Sequence, residues 1–200
     1  RQEVPVSATK IRQNPFQYWD FLPDIVKPYF VKKICLFGPE SVGKTTLSQQ
    51  LAEHFHTVWV QEAARDILKS NEEIDEQKLI EIGTAQTNLV MQKSQKVNKI
   101  LFCDTDLITT QIYAHHYLGY VPNKLIELEK EIIYDLYILL DIDTVWVEDP
   151  LRDLGDKRVE MYQVFLSELD KRKLNYVKIS GSWENRTQKA IQIVEEYFFN

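Results

Sequence analysis

One segment constrains the fold of this 200-residue chain more than any other, namely Gly38-Pro39-Glu40-Ser41-Val42-Gly43-Lys44-Thr45-Thr46. It fits the Walker A pattern G-x-x-x-x-G-K-S/T, and it lies between an apolar run that ends at Phe37 and a helical pattern that begins near Lys44. A strand, a glycine-rich loop and a helix in this order form a P-loop, in which glycines let backbone N–H groups turn toward an anion. The sequence therefore predicts a site for the phosphates of a nucleotide. The alternative is an ordinary glycine turn before a helix.

The loop also predicts which groups contact the phosphates. The helix that begins near Lys44 directs its positive dipole end at the anion, the lysine reaches the β- and γ-phosphates, and the Thr45 hydroxyl binds Mg²⁺. The loop residues predicted to bind ATP are Gly38, Glu40, Ser41, Val42, Gly43, Lys44, Thr45 and Thr46. ATP and Mg²⁺ are thus the expected cofactors.

After Val31 the sequence alternates between short apolar runs and helical patterns. Strands are predicted over residues 33–37, 57–60, 100–104, 136–140 and 176–179, with helical patterns near 79–97, 161–169 and 191–198. Nearly all-apolar strands are typical of a parallel sheet that is covered on both faces. The sequence predicts an α/β fold of the P-loop NTPase or kinase-like type, with a five-stranded, mostly parallel sheet and helices on both faces. Ligands of such sheets bind at the carboxyl ends of the strands.

Residues 1–30 differ in character from the rest of the chain. Prolines recur among aromatic residues there, and this pattern cannot form one long helix. We expect short helical turns that pack onto the domain, because the segment is too short to form its own core. The predicted division is a connector over 1–30 and a P-loop domain over 31–200.

Composition narrows the range of partners. The net charge of -6 argues against a nucleic-acid partner, since phosphate-backbone binding usually needs a basic face. No apolar run approaches the ~20 residues that span a bilayer, and no signal sequence is recognised. Cys35 and Cys103 lie in predicted strands and are interpreted as reduced core residues of a cytoplasmic protein. The acidic stretch 72–76 is interpreted as a solvated helix start, and a homo-oligomer is one option that the sequence leaves open.

Carboxylates follow two of the predicted strands. Asp104 ends an apolar strand in the Walker B arrangement and is predicted to hold Mg²⁺ across from Thr45, with a helix cap as the alternative. Asp106 is assigned to substrate binding, and it could instead cap the helix that starts near Leu107. Glu62 follows the second strand and is the predicted acceptor of a proton from a substrate hydroxyl, with Asp104 as its rival.

Basic and aromatic residues complete the predicted site. Arg65, one helical turn after Glu62, is predicted to bind substrate, and a surface Glu–Arg pair is the alternative. After the fourth strand, Arg152 and Arg158 lie in a basic segment that we interpret as a lid over the transferring phosphate; the alternative is a charged surface helix. The predicted aromatic contacts of the substrate are Trp146 and Tyr113, with core packing as the rival interpretation for both.

Taken together, these motifs resemble the ribosylnicotinamide kinase domain of the bifunctional NAD-salvage proteins of bacteria, the NadR-type family. The most specific matches are the segments 38–45, 104–111 and 146–155. The chain departs from the family at Pro150, where glycine is frequent, and at 61–65, where aromatic residues are missing. The N-terminal stretch resembles the end of the nicotinamide-nucleotide adenylyltransferase domain that is fused upstream in this family, but these residues contain no H-x-G-H element.

The resemblance implies an ATP-dependent kinase that phosphorylates the 5′-hydroxyl of nicotinamide riboside. Its small-molecule nucleoside substrate carries a cationic ring, which the carboxylates Glu148 and Asp149 would suit. The residues assigned to catalysis are Lys44, Glu62, Asp104 and Arg152. The alternatives are another nucleoside or nucleotide kinase, or a non-catalytic ATP-binding regulatory module. A GTPase is disfavoured because no N-K-x-D motif is present.

Overall fold

A five-stranded sheet forms the centre of the protein, whose computed structural model describes residues 6–70 and 74–199. The strands are β1 (Lys32–Phe37), β2 (Trp59–Val60), β3 (Ile100–Asp104), β4 (Leu136–Leu140) and β5 (Tyr176–Ile179). Their order in the sheet is β2-β3-β1-β4-β5, and each neighbouring pair is parallel. The predicted α/β fold with a parallel five-stranded sheet is confirmed.

Two strands differ in length from the prediction. β1 begins one residue earlier than expected, and β2 is two residues long where four were predicted. The reason is that Thr57 still belongs to the turn that leaves the preceding helix. Its amide donates to the Ala52 carbonyl at 2.9 Å, and His56 adopts a φ of 49°.

Helices surround the sheet on both faces. They are α1 (Ala8–Gln13), α2 (Lys44–His54), α3 (Ala64–Ile67), α4 (Glu76–Ser94), α5 (Leu107–Leu118), α6 (Asn123–Glu129), α7 (Arg158–Arg172) and α8 (Trp183–Phe198). Asp75 caps the N-terminus of α4 by accepting a hydrogen bond from the Lys78 amide. The predicted helix start is therefore observed at Asp75 and Glu76, whereas Glu72 and Glu73 lie outside the described residues. Among the described residues, no helix combines the length and apolar character that crossing a bilayer requires.

The core follows from the two-residue period of the strands. Along β1, Ile34 and Leu36 face one cluster of buried residues, whereas Cys35 and Phe37 face another. The first cluster contains residues of α2 and α8, and the second contains residues of α5 and α7. Both faces of the sheet are therefore covered, as the apolar strands predicted. Cys35 and Cys103 are paired in register on adjacent strands, buried and free of disulfide bonds.

The described part of the N-terminal segment forms short helical turns, as expected. Three-residue 3-10 helices at Trp19–Phe21 and Lys27–Tyr29 follow α1. Phe16 and Trp19 are buried in the same cluster as Ile34, and the Phe16 ring lies 5.4 Å from that of Phe199. The segment thus packs into the core of the P-loop domain. The division at residue 30 stays a prediction about sequence character.

Candidate active site

The P-loop connects β1 to α2 and carries unusual backbone angles. Gly38 and Gly43 have φ values of 135° and 86°, and Ser41 also has a positive φ of 58°. The first two values suit residues without a Cβ atom. Lys44 is almost fully buried, and its ammonium donates to the carbonyls of Gly38 at 2.9 Å and Pro39 at 2.8 Å. The lysine is therefore held over the loop that it is predicted to serve.

Thr45 and Asp104 meet at the carboxyl ends of β1 and β3, as a shared metal site requires. The Thr45 hydroxyl donates to Asp104 Oδ2, while Asp104 Oδ1 is buried and has no hydrogen-bond partner within the described chain. Burial, with the nearby charge of Glu62, raises the pKa of Asp104 to about 6, although Lys44 acts in the opposite direction. A buried carboxylate oxygen without a partner fits a hard cation such as Mg²⁺.

Such a cation would be shared with the phosphates. Within residues 6–70 and 74–199 no group of three or more His, Cys, Asp or Glu side chains is placed to hold a metal. Mg²⁺ commonly takes one or two protein ligands and completes its shell with water and phosphate oxygens. The donor set of Thr45 and Asp104 fits that arrangement.

A cavity of about 160 Å³ opens beside the P-loop, between α4 and α5. The predicted site residues that line it are Glu40, Ser41, Val42, Gly43, Lys44, Thr45, Thr46, Glu62, Arg65, Tyr113 and Arg152. One wall is apolar and includes Leu68, Leu79 and Ile82. Half of the residues that line this cavity were thus predicted from the sequence, and the cavity is polar at the P-loop end and apolar along α4.

Four charged residues form a chain of alternating sign at this cavity. Arg65 Nε lies 3.7 Å from Glu62 Oε2, and its Nη2 lies 3.3 Å from Asp149 Oδ2. Asp149 also pairs with Arg152, at 2.8 Å. Arg65 therefore joins the Glu62 element to the predicted lid, and it does more than form the local Glu–Arg pair that was the alternative.

The predicted lid, residues 146–158, is anchored to the P-loop. The Val147 amide donates to Ser41 Oγ at 2.9 Å, and the Leu154 amide approaches Glu40 Oε2 at 3.5 Å. Burial raises the pKa of Glu40 to about 7, and the charge of Asp153 adds to this effect. Side chains of the phosphate loop thus bind the segment that was expected to close over it.

Several predicted residues lie outside the cavity lining. Trp146 packs against Gly155 and lies under the guanidinium of Arg158, whose Cζ is 5.6 Å from the ring centroid. Arg158 also donates to the Thr144 carbonyl at 2.9 Å, and Glu148 is exposed. These contacts favour the packing interpretation of Trp146.

Asp106 has the hydrogen bonds of a helix cap. Its Oδ1 accepts from the Thr109 amide at 3.0 Å, and its Oδ2 accepts from the Tyr137 hydroxyl at 2.9 Å. Burial raises its pKa to about 6. Asp106 therefore occupies the position of a helix cap at the start of α5, which was the alternative to substrate binding, because both of its carboxylate oxygens accept hydrogen bonds from within the protein.

Gln86 of α4 lines the cavity and is 1% exposed, but it was not predicted as a site residue. Its Oε1 accepts a hydrogen bond from the Ala63 amide at 2.8 Å, directly after Glu62. The signal that was available is a glutamine on the apolar face of a helix, between Ile82 and Val90.

Contacts from α8 to the P-loop were also not predicted from the sequence. Arg186 of α8 is 1% exposed and donates to the carbonyls of Val42 at 2.9 Å and Asp141 at 2.8 Å, and it also contacts Asp143. The ring of Trp183 lies so close to Gly43 that a Cβ there would be 2.1 Å from it. Any side chain at Gly43 would therefore collide with α8.

A family model described as an AAA domain matches residues 33–186. The chain belongs to this family. The AAA domain match starts inside β1 and ends at Arg186, so it contains the P-loop, the cavity and the lid segment. The N-terminal segment lies outside the match.

Two curated relatives are each named Trifunctional NAD biosynthesis/regulator protein NadR. The protein from Escherichia coli (strain K12) is 34% identical over 204 residues, which is 98% of this chain and 50% of the relative. The protein from Salmonella typhimurium (strain LT2) is 34% identical over 206 residues, with the same coverage of 98% and 50%. The chain spans about half the length of these relatives, and the predicted resemblance to the NadR-type family is confirmed.

Solved structures agree on the fold of this AAA domain. A crystal structure of NadR protein in complex with NR has a TM-score of 0.87 and 24% identity, and covers 100% of this chain and 60% of that one. NadR protein in complex with NAD and AMP-PNP has a TM-score of 0.81 and 24% identity, covering 99% and 58%. Thymidylate kinase from Candida albicans has a TM-score of 0.62 and 15% identity, covering 83% and 92%. The P-loop kinase-like fold is thus confirmed.

Proposed function

We propose that this chain is an ATP-dependent kinase that phosphorylates the 5′-hydroxyl of nicotinamide riboside and yields nicotinamide mononucleotide, a step of NAD salvage. The observation that carries the proposal is the cavity that places Lys44 of the P-loop and Glu62 on the same lining. A phosphate donor and a hydroxyl acceptor need such a shared space for in-line transfer. The names of the curated relatives and the NR and AMP-PNP complexes of the NadR structures support the choice of substrates.

Each group of the site has a role in this reaction. Lys44 and the loop amides bind the phosphates of ATP, and Thr45 and Asp104 hold Mg²⁺. When bound, Mg²⁺ neutralises negative charge on the phosphates. Glu62 accepts the proton of the 5′-hydroxyl, because its side chain lines the cavity, whereas Asp104 accepts a hydrogen bond from the Thr45 hydroxyl. Arg65 and Arg152 supply positive charge beside the transferring group.

The acidic character of the cavity suits a cationic ring. Glu40 and Glu62 both line it, and the pyridinium of nicotinamide riboside carries a positive charge. Asp149, which was predicted for this purpose, is paired with two arginines instead. Because burial raises the pKa of Glu40 to about 7, we assign the main electrostatic attraction of the cation to Glu62. We expect a cytoplasmic enzyme, in agreement with the two buried free cysteines.

A coupled assay of ADP release tests the proposal. With ATP and Mg²⁺, we expect release to require the acceptor, and nicotinamide riboside to be preferred over thymidine, deoxycytidine and deoxyadenosine. Lys44→Met should reduce the rate to a few per cent with the fold unchanged, because the point charge on the phosphates is lost. Exposed Lys124 of α6 provides the matched control, Lys124→Met.

Two results would change the assignment. Similar rates on the deoxynucleosides would support a general nucleoside kinase. Binding of ATP without transfer to any riboside would leave a regulatory ATP-binding module.

A further inference from the structure

The side chain of Gln86 has a fixed orientation and an unused donor. Its Oε1 accepts from the Ala63 amide at 2.8 Å, so the amide group cannot rotate by half a turn without placing two donors against each other. Its Nε2 is buried and has no hydrogen-bond partner in residues 6–70 and 74–199. A buried N–H group without an acceptor is unfavourable, so we expect a ligand in the cavity to supply an acceptor for Gln86 Nε2.

The position of Gln86 indicates which part of a ligand supplies that acceptor. Ile82 and Leu79 line the cavity from the preceding turns of the same helix, so Gln86 belongs to the apolar wall. α4 packs closely against α6 at Gly83, where a Cβ atom would lie only 2.6 Å from the Leu125 side chain. A flat ring fits along such a wall, while the 5′-hydroxyl must reach Glu62 and the P-loop.

We propose that Gln86 Nε2 donates a hydrogen bond to the carboxamide oxygen of the nicotinamide ring and thereby selects ribosides that carry an acceptor there. This inference rests on the proposed function. The ring nitrogen of nicotinamide riboside is bonded to the ribose and has no lone pair, so the carboxamide oxygen is the strong acceptor of the base. A site that hydrogen-bonds a substrate group discriminates strongly against an analogue that lacks the group, because its own polar atom is then left unpaired.

The experiment compares two acceptors that carry the same cation, nicotinamide riboside and pyridine riboside, which lacks the carboxamide. For the unmodified chain we expect kcat/KM to favour nicotinamide riboside by about 10²-fold or more. Gln86→Met keeps the length of the side chain but also removes the acceptor of the Ala63 amide, so both ribosides can lose activity. We expect kcat/KM for nicotinamide riboside to fall at least about 10-fold further than that for pyridine riboside. Gln92→Met, at an exposed position of the same helix, is the matched control and should change neither value.

Three results would overturn the inference. The first is equal kcat/KM values for the two ribosides in the unmodified chain, a measurement that does not depend on the folding of a variant. The second is an equal loss on both ribosides in Gln86→Met, which would show that Gln86 only positions Ala63 and Glu62. The third is no change of either kcat/KM value in that variant.

Failure of the proposed function is a separate outcome. If neither riboside is phosphorylated, the kinase assignment fails. Calorimetric affinities of the two ribosides still test the contact of Gln86 in that case, and equal affinities contradict it.

Discussion

At the scale of single residues, two carboxylates at the ends of neighbouring strands have different surroundings. Asp104 is buried and accepts the hydroxyl of Thr45, whereas Glu62 lines the cavity and lies 3.7 Å from Arg65. The first environment suits a metal ligand and the second a proton acceptor that substrate can reach. From the sequence alone these two residues are rivals for the role of proton acceptor, because each stands at the end of a predicted strand.

The role of Glu62 is tested by Glu62→Gln. This variant keeps the shape of the side chain but cannot accept a proton, so we expect kcat to fall by about 10²–10⁴ while the affinity for ATP is unchanged. Steady-state kinetics and a nucleotide-binding isotherm measure both quantities. If the KM for the riboside rises and kcat holds, Glu62 is a ligand of the substrate hydroxyls and the proton goes elsewhere.

Glu40 predicts a dependence of stability on pH. Its pKa in the folded protein is about 7 against 4.5 for the unfolded chain, mainly because of burial. Since the folded state holds the proton more tightly, the contribution of Glu40 to the free energy of unfolding is greatest below pH 4.5 and is lost as pH rises through 7. We therefore expect Glu40→Gln to gain stability relative to the unmodified chain between pH 5 and pH 8.

Urea unfolding at several pH values, without nucleotide, measures this difference. Glu53→Gln, at an exposed position of α2, is the control and should follow the unmodified chain. Parallel curves for Glu40→Gln and the unmodified chain would contradict the prediction.

At the scale of elements, the segment that connects β4 to α7 depends on packing that a sequence pattern does not reveal. Its basic residues predicted a lid, and residues 147 and 154 do contact the P-loop. The partners of Trp146 could not be predicted, because an indole near a site can stack on a substrate or on its own chain with the same local sequence. In the structure it packs on Arg158 and Gly155.

Trp146→Ala distinguishes these two roles. If the indole positions the lid, its removal should raise the KM values for ATP and riboside together and increase the ADP release that occurs without acceptor, since water then reaches the site. Trp146→Phe should restore part of the packing. A rise in the KM for the riboside alone would instead support direct stacking on the substrate.

At the scale of the whole molecule, the strands were predictable because buried parallel strands appear in the sequence as short apolar runs. The P-loop was predictable because the Walker A pattern is specific. Contacts between distant parts of the chain were not. Nothing in the local sequence places Gln86 against Ala63, or shows that Trp19 packs into the core of the P-loop domain. Such contacts depend on how helices are arranged on the sheet.

The contribution of the N-terminal segment can be measured. Trp19 is 5% exposed, so Trp19→Ala should lower the free energy of unfolding by about 3–5 kcal/mol in a single cooperative transition. Tyr29→Ala, at a side chain that is 86% exposed, is the control and should have little effect. A loss of less than about 1 kcal/mol for Trp19→Ala would show that the segment is a detachable appendage.

The hydrogen bond from the Arg186 guanidinium to the Val42 carbonyl joins residues that are 144 positions apart in the sequence. At translation rates of about 5–20 residues per second, a ribosome needs roughly 7–30 s to make the chain between them. During that interval the nascent chain already displays the complete Walker A motif, but the guanidinium that secures its backbone has not been synthesised. This hydrogen bond to the phosphate loop can therefore form only late in synthesis, after all five strands of the sheet have been made.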